Sequence, residues 1–249
     1  LIIKGDDHLL IDCGSKGPQA LYELGLHVTD IRNFLITHSH ADHIGGLEEV
    51  MLMSRYFRRE KPTIIVNPAY QHLLWDMSLR GGSAFNEERD GVDLAFGDMW
   101  KIIRPEWRSQ YPRETYEATI GEINLKLFRT MHIPDSTRSW QNSFWSCGVV
   151  IDDRVMFTSD TRYDPELITS FEALYSFETI FHDCQFFTGG VHAGIEELKE
   201  LPSEIKKKMI LTHYGDNWEK FEPLVKEYGF RALAEQWFYY DFPKRYPHR

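Results

Sequence analysis

The feature that most constrains this chain is the stretch THSHADHIGG at residues 37–46. An apolar run, FLI, leads into it and a Gly-Gly pair closes it. Three histidines and one aspartate fall within six positions: His38, His40, Asp42 and His43. Packing is a poor explanation for such crowding, because each group carries polar atoms that need partners. Neutral imidazole and carboxylate are good ligands for zinc and similar ions, so a metal site explains it. His38 and His40 stand at i and i+2 just past a strand, so both can point the same way. Asp42 and His43 are adjacent and cannot share one direction with that pair. They suit a second ion at the mouth of the following helix, where Gly45 and Gly46 let backbones pack closely.

One cluster cannot complete two coordination shells. Three further donors end or follow apolar runs: His132 after INLKLFRTM, Asp160 at the end of VMFTSD, and His213 after MILT. The C-terminal ends of strands are where α/β folds usually place their chemistry. His38, His40, His132 and Asp160 would make one site. Asp42, His43, Asp160 and His213 would make the other, with Asp160 bridging.

Strand-like runs recur at 1–4, 8–12, 33–37, 63–66, 123–128, 147–152, 154–159, 179–183 and 209–212. Helix-like segments lie at 17–26, 44–58, 68–79, 194–208 and 217–228. Alternation of this kind predicts an α/β fold in layers. With 249 residues, 42% of them hydrophobic, one large domain over 1–249 is expected. Region 80–118 is the least regular; it reads as a surface insertion, a lid over the site, or a dimer contact. The opening LIIKGDD has no methionine and predicts that a few native residues are missing. No window reaches 18 consecutive apolar residues and no secretory pattern is present, so no membrane span is expected.

Cys13, Cys147 and Cys184 are scattered and odd in number, which points to a reducing, cytoplasmic setting. The 38 acidic residues outnumber the 28 basic ones, for a net charge of −10. That balance weighs against long DNA or RNA as partner. A small phosphate ester needs only a local positive site, which metal ions supply.

With these motifs in place, the chain resembles the metallo-β-lactamase superfamily. HxHxDH matches at His38–His43, and the later His132, Asp160 and His213 follow in order. The resemblance covers nearly the whole chain and implies an αββα sandwich of two mixed β-sheets flanked by helices. It also implies two divalent metal ions, zinc or manganese. LLIDCG (9–14) is similar to the second strand of that family, whose aspartate, Asp12 here, supports a ligand histidine from behind. TSDTR resembles the GDTR of the ribonuclease Z branch, with Ser159 in place of glycine. FHDCQF…VHAGIEEL (181–198) resembles the segment in which a histidine, His192 here, assists the leaving oxygen. Asp42 would bind its metal and help orient the nucleophile.

Ribonuclease Z enzymes that bind transfer RNA usually carry a long arm between the positions matching His132 and Asp160. Here 28 positions separate the two, and a strand pair nearly exhausts them. The chain therefore looks most like the anti-Pycsar proteins, phage and bacterial relatives without the arm. These hydrolyse cyclic CMP and cyclic UMP, and often the purine versions, and assemble as homodimers. What the resemblance implies is a cyclic nucleotide phosphodiesterase for immune evasion, acting in the cytoplasm. The alternatives are a ribonuclease Z-like nuclease, a lactonase, or a sensor that binds a nucleotide without cleaving it.

Substrate contacts are less legible. Ser136, Thr137 and Arg138, just after His132, are candidates for a phosphate. Arg162 is either a phosphate contact or an ion-pair partner. Trp140, Phe144, Trp107 and Tyr111 could stack on a base, although core packing accounts for most aromatic rings. His8, His27, His72 and His248 lack partners nearby in sequence and read as surface or turn residues. His182 has no firm role. Cys184 reads as packing, and EIKKK (204–208) as a solvated helix face.

Overall fold

Period-two alternation sorts the strand side chains into three apolar layers. A computed structural model describes residues 1–243. Its first sheet holds β1 (Ile2–Lys4), β2 (Asp7–Ile11), β3 (Asn33–Leu35) and β4 (Thr63–Ile65). After a small hairpin of β5 (Glu88–Arg89) and β6 (Val92–Asp93), β7 (Lys101–Ile103) completes it in the order β1-β2-β3-β4-β7. The second sheet runs through β8 (Glu106–Arg108), β9 (Thr115–Ile120), β10 (Ile123–Arg129), β11 (Cys147–Ile151), β12 (Val155–Phe157), β13 (Thr179–Asp183), β14 (Met209–Thr212) and β15 (Ala232–Leu233), neighbours in chain order. Strands β2, β3, β4 and β7 are parallel, as are β12 to β15; β8 to β12 are antiparallel.

Adjacent residues on one strand serve different layers. Leu35, Ile65, Leu125 and Val149 meet between the two sheets. Their neighbours Phe34 and Ile64 face the helices Leu47–Leu52 and Pro68–Leu74. On the other side, Phe128 and Val150 face the helix Pro165–Tyr175 and the short helices Ile195–Leu198 and Ser203–Lys206. Each fully buried side chain of this size contributes roughly 1.5–3 kcal/mol. The layering is helix, sheet, sheet, helix, the αββα sandwich the resemblance implies.

Several helices differ from expectation. The segment 194–208 is two short helices, because Pro202 lacks the N–H that a continuing helix needs. Residues 217–228 hold a tight turn, Trp218–Lys220, and then the helix Glu222–Glu227. The helix expected from 44 starts at Leu47, just past the Gly pair. Region 80–118 is far more regular than its composition suggests: it supplies β7 to the first sheet and β8 and the start of β9 to the second. Its tertiary pairing overrides weak local preference. No helix of the described residues is long and apolar enough to cross a membrane. His248 lies outside the described residues.

The parallel strands β2, β3, β12, β13 and β14 matter most for function, since the residues that follow them converge. Asp12 follows β2, His38 and His40 follow β3, Asp160 follows β12, Asp183 ends β13 and His213 follows β14.

Candidate metal centre

The loop after β2 and the loop after β3 are zipped together by backbone. Cys13 N–H donates to His43 O (2.9 Å), Ser15 N–H to Ala41 O (3.1 Å) and Gly46 N–H to Cys13 O (2.9 Å). This approach demands glycine: a Cβ on Gly14 would lie 1.8 Å from Asp42 O, and one on Gly46 would lie 2.7 Å from Gly14 O. The short helix Ala41–Ile44 is thereby pinned, with Asp42 and His43 at its start.

Asp12 then sets the rings. Its carboxylate accepts from Thr37 N–H (2.8 Å), from Thr37 Oγ1–H (2.7 Å) and from His43 Nδ1–H (2.7 Å). Thr37 Oγ1 accepts in turn from Ser159 Oγ–H (2.9 Å) and lies 3.1 Å from His38 Nδ1. His132 Nδ1–H donates to Val191 O (2.9 Å). With the Nδ1 atoms of His38, His43 and His132 so engaged, their Nε2 atoms face one cleft.

Asp160 stands at the centre, 2% exposed. Its Oδ1 is 3.3 Å from His43 Nε2; its Oδ2 is 3.7 Å from His38 Nε2, 3.7 Å from His132 Nε2 and 3.4 Å from His213 Nε2. His132 Nε2 is 3.2 Å from His40 Nδ1, and His213 Nε2 is 3.2 Å from Asp42 Oδ2. Ligand atoms about 2.0–2.1 Å from a tetrahedral zinc sit about 3.3 Å from each other. The donor spacings match that figure. Among the described residues, His38 Nε2, His43 Nε2 and Asp160 Oδ2 are buried without a hydrogen-bond partner. Buried polar atoms left open around one point fit a cation. Three groups have donors within 4.8 Å of one another: His38, His40, His132 and Asp160; Asp42, His43, Asp160 and His213; and Asp183, His192 and His213.

The electrostatics agree. Burial pushes His38 down to about 2 and His132 down to about 4, keeping both rings neutral and able to donate a lone pair. Burial also opposes charge on His43, but its bond to Asp12 and the neighbouring carboxylate of Asp160 prevail and lift it to about 10. A cation would have to displace that proton. Burial works against the charged form of Asp160 as well, and the adjacent His43 ring and the other surrounding imidazoles outweigh it, holding the carboxyl well below the usual range.

Three site residues take left-handed backbone: Asp12 (φ 60°), Ser159 (φ 50°) and His213 (φ 61°). Such residues cost of order 1–3 kcal/mol each and persist where surrounding structure over-determines them. Ser159 occupies a position that suits glycine, and its hydroxyl bond to Thr37 offsets the strain.

His192 enters on the loop after β13. Its Nδ1–H donates to Asp183 Oδ2 (2.8 Å), its ring stacks 4.6 Å from His213, and its side chain is 21% exposed. Burial works against the charged form of His192, but the bond to Asp183 prevails and raises it. Sequence reading missed Asp183. The signal was in FHD: alternation sends His182 with Ile180 toward the helices, and Asp183 the other way. His182 is buried and its Nδ1–H donates to Asp183 O (2.7 Å).

The other candidates disperse. Thr137 is buried and its hydroxyl donates within the loop, to Ser139 O. Ser136 and Arg138 are exposed, and Arg138 Nη1 donates to Thr137 O (3.1 Å). Arg162 Nη1 donates to the carbonyls of Asp135 (2.8 Å) and Thr137 (2.6 Å), so it braces the loop after His132. Tyr111 is engaged with Glu117 and stacks on Phe171. The guanidinium of Arg113 lies over Trp140, and Trp107 is exposed in β8. Phe144 is 60% exposed, and its N–H donates to Ile133 O (2.8 Å), beside His132. His8 accepts from Arg32 N–H, His27 caps a turn and His72 pairs with Asp76. Cys13, Cys147 and Cys184 are free and buried; burial raises the Cys184 thiol, which suits packing. In EIKKK, Lys207 pairs with exposed Glu204.

Comparison with known proteins adds four likenesses. The family model described as Anti-Pycsar protein Apyc1 matches residues 1–240. A protein of that description from Bacillus phage BSP38 is 38% identical over 217 residues, covering 86% of this chain and 80% of the relative. One from Paenibacillus sp. (strain J14) is 33% identical over 223 residues, covering 89% and 83%. Among solved structures, the metallo-β-lactamase fold protein YhfI from Bacillus subtilis superposes with a TM-score of 0.63 at 18% identity, covering 95% of this chain and 88% of that one.

Proposed function

Because the chain belongs to the Anti-Pycsar protein Apyc1 family, we propose that it hydrolyses 3′,5′-cyclic mononucleotides to nucleoside monophosphates and so silences immune signalling that uses them. Cyclic CMP and cyclic UMP are the leading substrates, with cyclic AMP and cyclic GMP beside them. The observation that carries the reading is the convergence of seven His and Asp donors on one cleft, in a chain of that family.

His38, His40, His132 and Asp160 would hold one divalent ion, and Asp42, His43, His213 and Asp160 the other. The donor set suits zinc, and manganese is the alternative. When bound, two such ions supply a polarised phosphoryl group and a nucleophile at neutral pH. The chain's own residues do the rest. Asp12 and Thr37 hold the His43 and His38 rings in register. Asp42, at the mouth of the cleft with its side chain 59% exposed, orients the attacking water. Asp183 fixes His192 by its Nδ1, leaving Nε2 to protonate the departing ribose oxygen. Water adds across one phosphorus–oxygen bond: phosphorus keeps the new oxygen, and the ribose oxygen leaves with the proton. Phe144, exposed and bonded through its N–H to the carbonyl next to His132, is a candidate ring to stack on a base; Ser136 and Arg138 are exposed polar groups on the same loop.

The reading implies action in the bacterial cytoplasm, where such nucleotides are made, and that is the host's cytoplasm if the chain is phage-encoded. It also implies a homodimer, with region 80–118 as lid or contact; Phe85, Val92 and Trp107 are its exposed apolar side chains. Sedimentation velocity should report a dimer, and a monomer at micromolar concentration would remove that part of the proposal.

The test is product analysis by chromatography. Metal-loaded protein is incubated with cyclic CMP, UMP, AMP and GMP, beside a precursor transfer RNA and a lactone. Monophosphates should form from the cyclic nucleotides, while RNA and lactone stay intact. Intact cyclic nucleotides with either other substrate cleaved would overturn the substrate assignment. Tight binding of a cyclic nucleotide with no turnover would make the protein a sensor.

A further inference from the structure

Tyr70 lies on the helix Pro68–Leu74, whose N-terminus is capped by Asn67 Oδ1 accepting from Ala69 N–H (2.8 Å). It is 2% exposed. A buried tyrosine needs a partner for its hydroxyl, or desolvation of that group goes uncompensated. The Tyr70 hydroxyl meets Ser39 Oγ at 3.1 Å. Ser39 is the residue between His38 and His40. In extended backbone its side chain points away from theirs, so it is the handle by which that loop can be held from behind.

The ring of Tyr70 is held too. It stacks on Trp145 at 5.8 Å and 12°. The guanidinium of Arg129 lies 4.8 Å from the other ring of this pair, over Trp145, a cation–π contact. Arg129 Nη2 donates to Ser143 O (3.0 Å) and Phe144 O (3.1 Å). A column of four side chains, Arg129, Trp145, Tyr70 and Ser39, thus runs from the end of β10 to the loop after β3. Packing alone would be served by phenylalanine at position 70. What the hydroxyl adds is a fixed bond to the loop that presents two imidazoles.

We propose that Tyr70 is a positioning residue for the His38–His40 loop, its hydroxyl bond to Ser39 and its stack on Trp145 presetting both imidazoles for a divalent cation. The inference rests on the reading that this loop holds a metal. Partners behind ligands commonly change metal affinity about 10–100-fold when removed.

The experiment measures zinc affinity of the chain by competition with a chromophoric chelator, together with the melting temperature of the metal-free form. Tyr70→Phe and Ser39→Ala should each weaken zinc binding about 10-fold or more. The double variant should be no worse than either single one, because both remove the same bond. The metal-free melting temperature should fall by only about 2–4 °C. Unchanged zinc affinity beside a lower melting temperature would overturn the proposal and leave Tyr70 a packing residue. Additive losses in the double variant would overturn it as well. If Tyr70→Phe does not fold, Ser39→Ala tests the same bond from its other end. An unaltered chain that binds no zinc would instead overturn the metal reading on which the inference stands.

Discussion

Replacing Asp160 with alanine is expected to lower turnover of a cyclic nucleotide by about 10⁴-fold, the scale at which a catalytic ensemble fails when one member goes. The reason is geometric. One carboxylate, 2% exposed, faces the Nε2 atoms of His38, His43, His132 and His213 at 3.3–3.7 Å. It belongs to both four-residue donor groups, so its loss would remove a candidate ligand from each. Without it, the remaining imidazoles face one another with no anion between them. Elemental analysis should find less than two metal equivalents per chain, and chromatography should find no monophosphate. Asp160→Asn keeps the volume but not the charge, and should fail nearly as badly. Full activity with two metals retained in either variant would show that the ligand assignment is wrong.

The second large effect is on His192. His192→Ala should slow the reaction about 10²–10⁴-fold, the usual contribution of a positioned proton donor, while both metals stay bound. The pH profile carries a sharper signature. The bond from Nδ1 to Asp183 raises His192 against the opposing effect of burial. A general acid works in its protonated form, so the rate should fall as pH rises through that raised value. Asp183→Asn withdraws the charge that supports the proton, so the alkaline limb should move to lower pH; in His192→Ala it should vanish. The rival outcome is specific. Asp183, His192 and His213 also bring donor atoms within 4.8 Å of one another. Loss of a metal equivalent from His192→Ala would make His192 a ligand rather than an acid.

Both effects depend on residues that were visible in the chain for different reasons. The candidate donors His38, His40, Asp42 and His43 announce themselves because four potential ligands in six positions are hard to account for by packing. His132, Asp160 and His213 were legible because each ends or follows an apolar run, and strand ends gather at one edge of a layered fold. Asp183 was not, since a single aspartate at a strand end has many ordinary uses. Only the β13 register, with His182 turned to the helices, shows which of the pair faces the cleft. Ser136, Thr137 and Arg138 were named for their position after His132; the fold turns the Thr137 hydroxyl to Ser139 O and sets Arg138 Nη1 on carbonyls of its own loop, while Ser136 is exposed.

What the sequence carried by itself was an α/β fold in layers and a set of His and Asp donor candidates, because both rest on local rules: side-chain alternation along strands and ligand chemistry at their ends; the αββα arrangement came from the family resemblance. The tertiary structure alone decided that Asp160 sits between four imidazoles, that Asp12, Thr37 and Ser159 form one hydrogen-bonded brace, and that Tyr70 reaches Ser39. It also decided that residues 101–103 and 106–108 join different sheets, although their surroundings read as a loop. The physical reason is common to all of these. Each is a contact between segments tens of residues apart, and its energy exists only once the two sheets have packed.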